Sequence, residues 1–162
     1  AIILNHQFEK SKQPQDRKKL FEFYLKQVKA NHVNNWDLVD VSAPRMGAYL
    51  TEVDDPMPLL LNLSKSKSLW ERRVSMILTF ALIRAGDLEP TIIIAESLLK
   101  DEQDLIHKAS GWMLRELGKR DVMMLRRFLS EHAHEMPRTM LRYAIEKLPE
   151  RERKQWLQDS KS

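Results

Sequence analysis

In the segment Asn34-Asn35-Trp36-Asp37-Leu38-Val39-Asp40, Trp36 and Asp40 stand four residues apart, so on a helix an indole and a carboxylate share one face. That pairing suits a cation. Tryptophan offers the most favourable ring face for cation–π attraction, and a carboxylate adds Coulomb stabilisation of positive charge as it develops. The same residues also suit a plainer arrangement, with Trp36 in the core and Asp37 or Asp40 as a first-turn acid favoured by the helix dipole.

Two further segments carry comparable chemistry. Ser68-Leu69-Trp70-Glu71-Arg72-Arg73 sets two guanidinium groups at the start of a helix. Either could grip phosphate oxygens with its planar fork, or pair with an acid on the preceding hairpin. In Lys108-Ala109-Ser110-Gly111-Trp112-Met113-Leu114-Arg115-Glu116, a glycine sits inside a helix at a cost of about 1 kcal/mol. The missing side chain makes room for another backbone, as in close helix packing, or for a ligand beside the Trp112 ring. His132 and His134 fall on different faces and lack companion ligands, so a solvated helix end is expected there and no metal site. The sequence has no Gly-rich phosphate loop, no G-x-S-x-G elbow and no H-E-x-x-H, which removes support for nucleotide, serine and metal hydrolysis.

The elements that must position these groups are helical. Only four glycines occur, and Leu, Lys, Arg, Glu, Ala and Met dominate. Leu69, Val74, Ile77, Leu78 and Ala81 follow three- and four-residue steps, which predicts an amphipathic helix from about Leu69 to Ala85, capped by Ser68 and closed by a left-handed Gly86. The same reading predicts helices near Gln15–Asn31, Trp36–Val41, Pro44–Thr51, Met57–Ser64, Pro90–Lys100, Glu102–Leu117, Val122–His134, Pro137–Leu148 and Glu150–Gln158, with no strand. Pro44, Pro56, Pro90, Pro137 and Pro149 fall at predicted starts or breaks. Short connections make neighbouring helices antiparallel hairpins.

Leu69–Leu78 aligns with Leu105–Leu114 at an offset of 36 residues, and Arg142-Tyr143-Ala144-Ile145 is a weaker third copy. A two-helix repeat of that size predicts an all-α superhelix, a solenoid of stacked hairpins, over 1–162 as a single domain. An irregular helical bundle is the competing architecture. The apolar, uncapped opening Ala1-Ile2-Ile3-Leu4 leads us to expect further repeats before it.

Composition narrows the setting. A chain of 162 residues with 43% hydrophobic content can bury a substantial core, and its apolar runs are too short to cross a bilayer. No charged-then-apolar leader is present and cysteine is absent, so a cytoplasmic protein without disulfides or a thiol nucleophile is expected. A net charge of +4 permits a polyanion partner without requiring one.

Taken together, Asn35-Trp36-Asp37-Leu38-Val39-Asp40 with Ser42-Ala43-Pro44, then Leu69-Trp70-Glu71-Arg72-Arg73, then Lys108 to Glu116, resemble in order and spacing the AlkD family of DNA alkylation repair proteins. Met136–Ile145 is similar to the last helical hairpin of that family. The resemblance implies a HEAT-like solenoid that holds duplex DNA and hydrolyses the N-glycosidic bond of cationic 3-methyladenine or 7-methylguanine. By position it implies Trp36 and Trp112 as aromatic walls, Asp40 as the catalytic carboxylate and Arg73 as a clamp on the lesion-strand backbone. It also implies that the damaged base is not drawn into a deep pocket, unlike the extrusion usual among glycosylases. Lys108, Arg115, Arg138 and Arg142 are further candidates for backbone contacts. The expected protein is a monomeric, monofunctional enzyme without metal or cofactor. Its competitor is a non-catalytic helical-repeat module that binds DNA or protein.

Overall fold

The computed structural model describes residues 2–160, and within them every regular element is a helix. In chain order these are α1 (Ile2–Lys10), α2 (Pro14–Lys29), α3 (Trp36–Met46), a 3-10 helix (Gly47–Glu52), α4 (Met57–Ser64), α5 (Leu69–Arg84), α6 (Glu89–Ser97), α7 (Asp104–Arg120), α8 (Val122–His132), α9 (Arg138–Ile145) and α10 (Glu150–Asp159). Their ends follow local chemistry. The Asn35 side chain accepts the Leu38 N–H at 2.8 Å, the Ser68 hydroxyl accepts that of Glu71 at 3.3 Å, and the Asp121 carboxylate accepts that of Met124 at 3.0 Å. Gly86 stops α5 with φ of +88°, as its position predicts.

Helices α1, α3, α5, α7 and α9 pack on one another in succession, while α4, α6, α8 and α10 cover them as a second layer. Cross-ties repeat at the spacing seen in the sequence. Asn5 bonds the Val41 carbonyl, His132 bonds Glu96, and Arg120 bonds the Arg84 carbonyl, each across 36 residues. Hairpins that stack in register produce this pattern, and the result is an α-α superhelix. Because alternate helices run antiparallel, α3, α5 and α7 are parallel, with their amino ends gathered at one edge and their carboxyl ends at the other.

Three expectations need correction. Trp36–Val41 and Pro44–Thr51 are not separate helices: α3 runs through Pro44 to Met46 and then tightens into the 3-10 helix. Burial of Val39, Ala43 and Met46 along one stripe holds the turn, although Pro44 supplies no N–H to the carbonyl of Asp40 four residues earlier. The helix over Leu69–Arg84 is not a half-exposed amphipathic helix, since ten of its sixteen residues are buried. It lies between α3 and α7 and against α4 and α6, so even Arg73, Ser75 and Thr79 are enclosed. The hydroxyls of Ser75 and Thr79 satisfy themselves on the carbonyls of Arg72 and Met76. Finally, His132 is not a merely solvated end: its ring packs on Phe128 at 4.7 Å and ties α8 to Glu96 of α6.

Two glycines set how closely the first layer packs. A Cβ at Gly47 would lie 2.4 Å from the Leu78 carbonyl oxygen, and one at Gly111 would lie 2.5 Å from Tyr143 Cβ and 2.6 Å from the Met140 carbonyl oxygen. Close packing is therefore the reason for glycine inside α7. In an open helix, Gly→Ala gains about 1 kcal/mol from propensity. At Gly111 the obstruction is backbone, so we expect Gly111→Ala to lose about 2 kcal/mol instead, lowering the melting temperature by roughly 4–8 °C. Thermal unfolding followed by circular dichroism checks the sign; a more stable variant would show that α9 can retreat freely.

Candidate active site

The first layer brings the separated motifs to one place. Trp36, Asp40, Arg73, Leu105, Lys108, Trp112, Arg115 and Tyr143 line an open concavity of about 470 Å³. Each wall has a local cause. Asn35 fixes the start of α3, so Trp36 and Asp40 project from its first turns on one face. Trp36 leaves 55% of its surface exposed, which places its indole at the rim and not in the core. Trp112 on α7 is steadied from behind by Phe80 of α5, their rings 5.9 Å apart and tilted by 41°. Gly111 admits α9 and so places Tyr143 opposite.

Asp40 and Arg73 form the polar centre. The Arg73 Nε and Nη2 both donate to Asp40, at 3.1, 3.0 and 2.9 Å, while Nη1 donates to the Leu105 carbonyl. The guanidinium thus joins α3, α5 and α7 at their amino ends. Its side chain is 5% exposed against 23% for Asp40, so the acid faces the concavity and the base stands behind it. The two adjacent arginines have therefore separated. Arg72 turns the other way, to Asp101 at 2.7 Å and to the carbonyls of Ser66 and Lys67. Of the two roles open to Arg73, the pair with an acid on the preceding hairpin is present in the structure; Nη1 keeps one more N–H for a further acceptor.

The other cations divide. Lys108 lies in the concavity beside Asp104, 2.9 Å away, whose carboxylate raises the ammonium above the ordinary lysine range. Arg115 also lines it and pairs with Glu146 across α7 and α9. Arg138 is not brought there, because Nη1 donates to the Leu157 carbonyl and the Ser160 hydroxyl beside α10. Arg142 is exposed and lines a separate groove with Glu150, Arg153 and Leu157. Sequence reading did not single out Tyr143 or the Leu105 carbonyl. The first had a trace, since the glycine notch at Gly111 required a neighbour; a backbone carbonyl leaves none.

The fold is thus an all-helical superhelix with two indoles, a phenol and a carboxylate around one open concavity. The chain belongs to the DNA alkylation repair enzyme family, whose model matches residues 1–148, and is AlkD-like within it. No curated protein and no solved structure matches the chain. Among the described residues no helix is long and apolar enough to cross a membrane. Its role is DNA alkylation repair, with DNA as the substrate that role implies.

Proposed function

We propose that the chain is a monofunctional DNA glycosylase that hydrolyses the N-glycosidic bond of cationic alkylated purines, 3-methyladenine and 7-methylguanine, in duplex DNA. The observation that carries the reading is the convergence of Trp36, Asp40 and Trp112 on one open concavity with Arg73 behind the acid. N-alkylation puts a positive charge on the purine, so the base leaves as a neutral molecule when the C1′–N bond electrons move onto it. The charge then passes to an oxocarbenium-like sugar. Asp40 stabilises that sugar by its charge and orients the water that adds to C1′, and the water's proton passes to solvent. The exposed Trp36 and the braced Trp112 stabilise the cation through their ring faces by about 0.5–2 kcal/mol each.

The surroundings support a single chemical step. Lys108 pairs with Asp104 at 2.9 Å, and the reading assigns its charge to phosphate and gives it no nucleophilic role. Arg73 is assigned first to orienting Asp40, with its remaining Nη1 hydrogen available to the lesion-strand backbone. Lys108 and Arg115 are the further backbone contacts the concavity supports. An open space of about 470 Å³ suits a base that stays near the duplex. One observation favours the alternative of a non-catalytic DNA-binding module: both Asp40 oxygens accept from Arg73, as they would in a purely structural pair.

The test is incubation with a duplex carrying one 7-methylguanine, followed by alkaline cleavage at abasic sites and chromatography of the free base. Release of the base with strand breakage only after alkali is expected. Trp36→Ala and Trp112→Ala should each slow release by about two- to thirtyfold, the rate equivalent of the ring contributions. Tight duplex binding with no base released would leave the binding-module reading in its place.

A further inference from the structure

A second concavity, of about 520 Å³, opens at the opposite edge of the first layer, lined by Arg17, Pro44, Arg45, Ala48, Ala81 and Arg84 among others. It is connected to the first by α5. Arg73, Phe80 and Arg84 are spaced by seven and eleven residues, and eleven residues make three helical turns plus about 20°, so all three lie on one stripe. The Arg84 guanidinium sits 4.1 Å above the Phe80 ring, and that ring is the one braced against Trp112. A continuous strip thus leads from the site to Arg84, roughly 16 Å further along the helix axis.

The arginines here differ in how their charge is used. Arg17 pairs with Glu52 and Arg45 with Glu9 at 3.2 Å. Arg84 is exposed and has no ion pair among the described residues, and neither does Arg120, whose Nη2 donates to the Arg84 carbonyl at 3.2 Å. Two guanidiniums on adjacent parallel helices therefore face solvent without an ion pair among the described residues, one of them already ordered by stacking. Planar forks held this way match phosphate oxygens, and prior ordering lowers the entropy lost on binding.

We propose that Arg84, with Arg120 beside it, is a phosphate-binding station for the strand opposite the damaged one. This rests on the reading that a lesion-bearing duplex lies over Trp36 and Trp112. With the damaged sugar at Asp40, the other backbone lies across a groove. The open widths are about 6 Å for the minor groove and 12 Å for the major, and phosphate thickness adds to both. A separation of roughly 16 Å along α5 falls in the range needed to reach from one strand to the other.

The experiment uses the full chain and the 7-methylguanine duplex. Binding is followed by fluorescence anisotropy between 50 and 200 mM salt for the wild type, Arg84→Gln and Arg84→Lys, with thermal melts confirming that each is folded. Loss of one phosphate contact predicts that Arg84→Gln lowers the slope of log affinity against log salt by about 1, and that Arg84→Lys keeps most of it. Neutral methylphosphonates in the undamaged strand should erase the difference between wild type and Arg84→Gln, whereas the same substitution in the damaged strand should not. An unchanged slope with only a lower melting temperature would mean that Arg84 merely complements the carboxyl end of α5, and would overturn the proposal. So would a strand map pointing to the damaged strand. Base release by the wild type alongside an unchanged slope removes Arg84 while leaving the glycosylase reading intact; no duplex binding by the wild type removes both.

Discussion

Replacing Asp40 by Asn is expected to reduce single-turnover release of 7-methylguanine by about 10²- to 10³-fold, the loss typical when one preorganised electrostatic contact to a transition state is removed. Asparagine keeps the shape and one carbonyl oxygen, so the concavity and its indoles remain. It removes the charge and turns an amide NH₂ toward a guanidinium that can only donate. Because Asp40 faces the sugar and not a phosphate in this reading, duplex affinity should change by less than about threefold, a shift far below the rate effect. Rapid-quench measurement of base release beside anisotropy titration separates the two quantities. Turnover at the wild-type rate would remove Asp40 from catalysis and reduce its pair with Arg73 to scaffolding.

The second large effect is expected at Arg73. Truncation to Ala leaves the Leu105 carbonyl without its donor and frees Asp40 to rotate into water. Because Asp40 can reach water, the cost is mainly that of the Leu105 carbonyl left unpaired, about 1–3 kcal/mol, so a fall in melting temperature should accompany it. Arg73→Lys is the sharper probe, since it retains charge with little loss of volume. A single ammonium cannot present the fork that meets both Asp40 oxygens and also reach the Leu105 carbonyl, so release should slow by about 10- to 100-fold even with protein in saturating excess. A residue that only clamped phosphate would behave differently: its loss would flatten the salt dependence, and saturation would restore the rate. Rates at saturation for the Lys variant therefore decide between an orienting and a gripping role.

How much of this was legible beforehand depended on the range of the interaction. Capping chemistry acts over three residues, and Ser68 and Gly86 mark helix ends where the sequence puts them. The 36-residue offset announced the stacked hairpins because identical neighbours must recur at the repeat length. Pro44 misled for the converse reason: a local rule treats it as a break, but the long-range burial of Val39, Ala43 and Met46 overrides it. The same holds for Leu69–Arg84, whose periodic pattern resembles a surface helix until neighbours cover its remaining faces. For the site, the likeness to a family suggested Trp36, Asp40, Arg73 and Trp112, and spacing alone left each ambiguous. An acid on the preceding hairpin was one of the two roles open to Arg73; what no local reading reaches is which acid, because Asp40 lies 33 residues away.

The glycine notches at Gly47 and Gly111 lie where successive hairpins meet, and Gly111 also sets where Tyr143 stands in the concavity. At both points the absent side chain draws neighbouring elements together, Gly47 toward α5 and Gly111 toward α9. Missing methyl groups thus fix how near one hairpin lies to the next at these two points, as a mason's joint fixes the spacing of two stones. Added volume at either point would widen that spacing, and at Gly111 it would also displace the wall that Tyr143 forms.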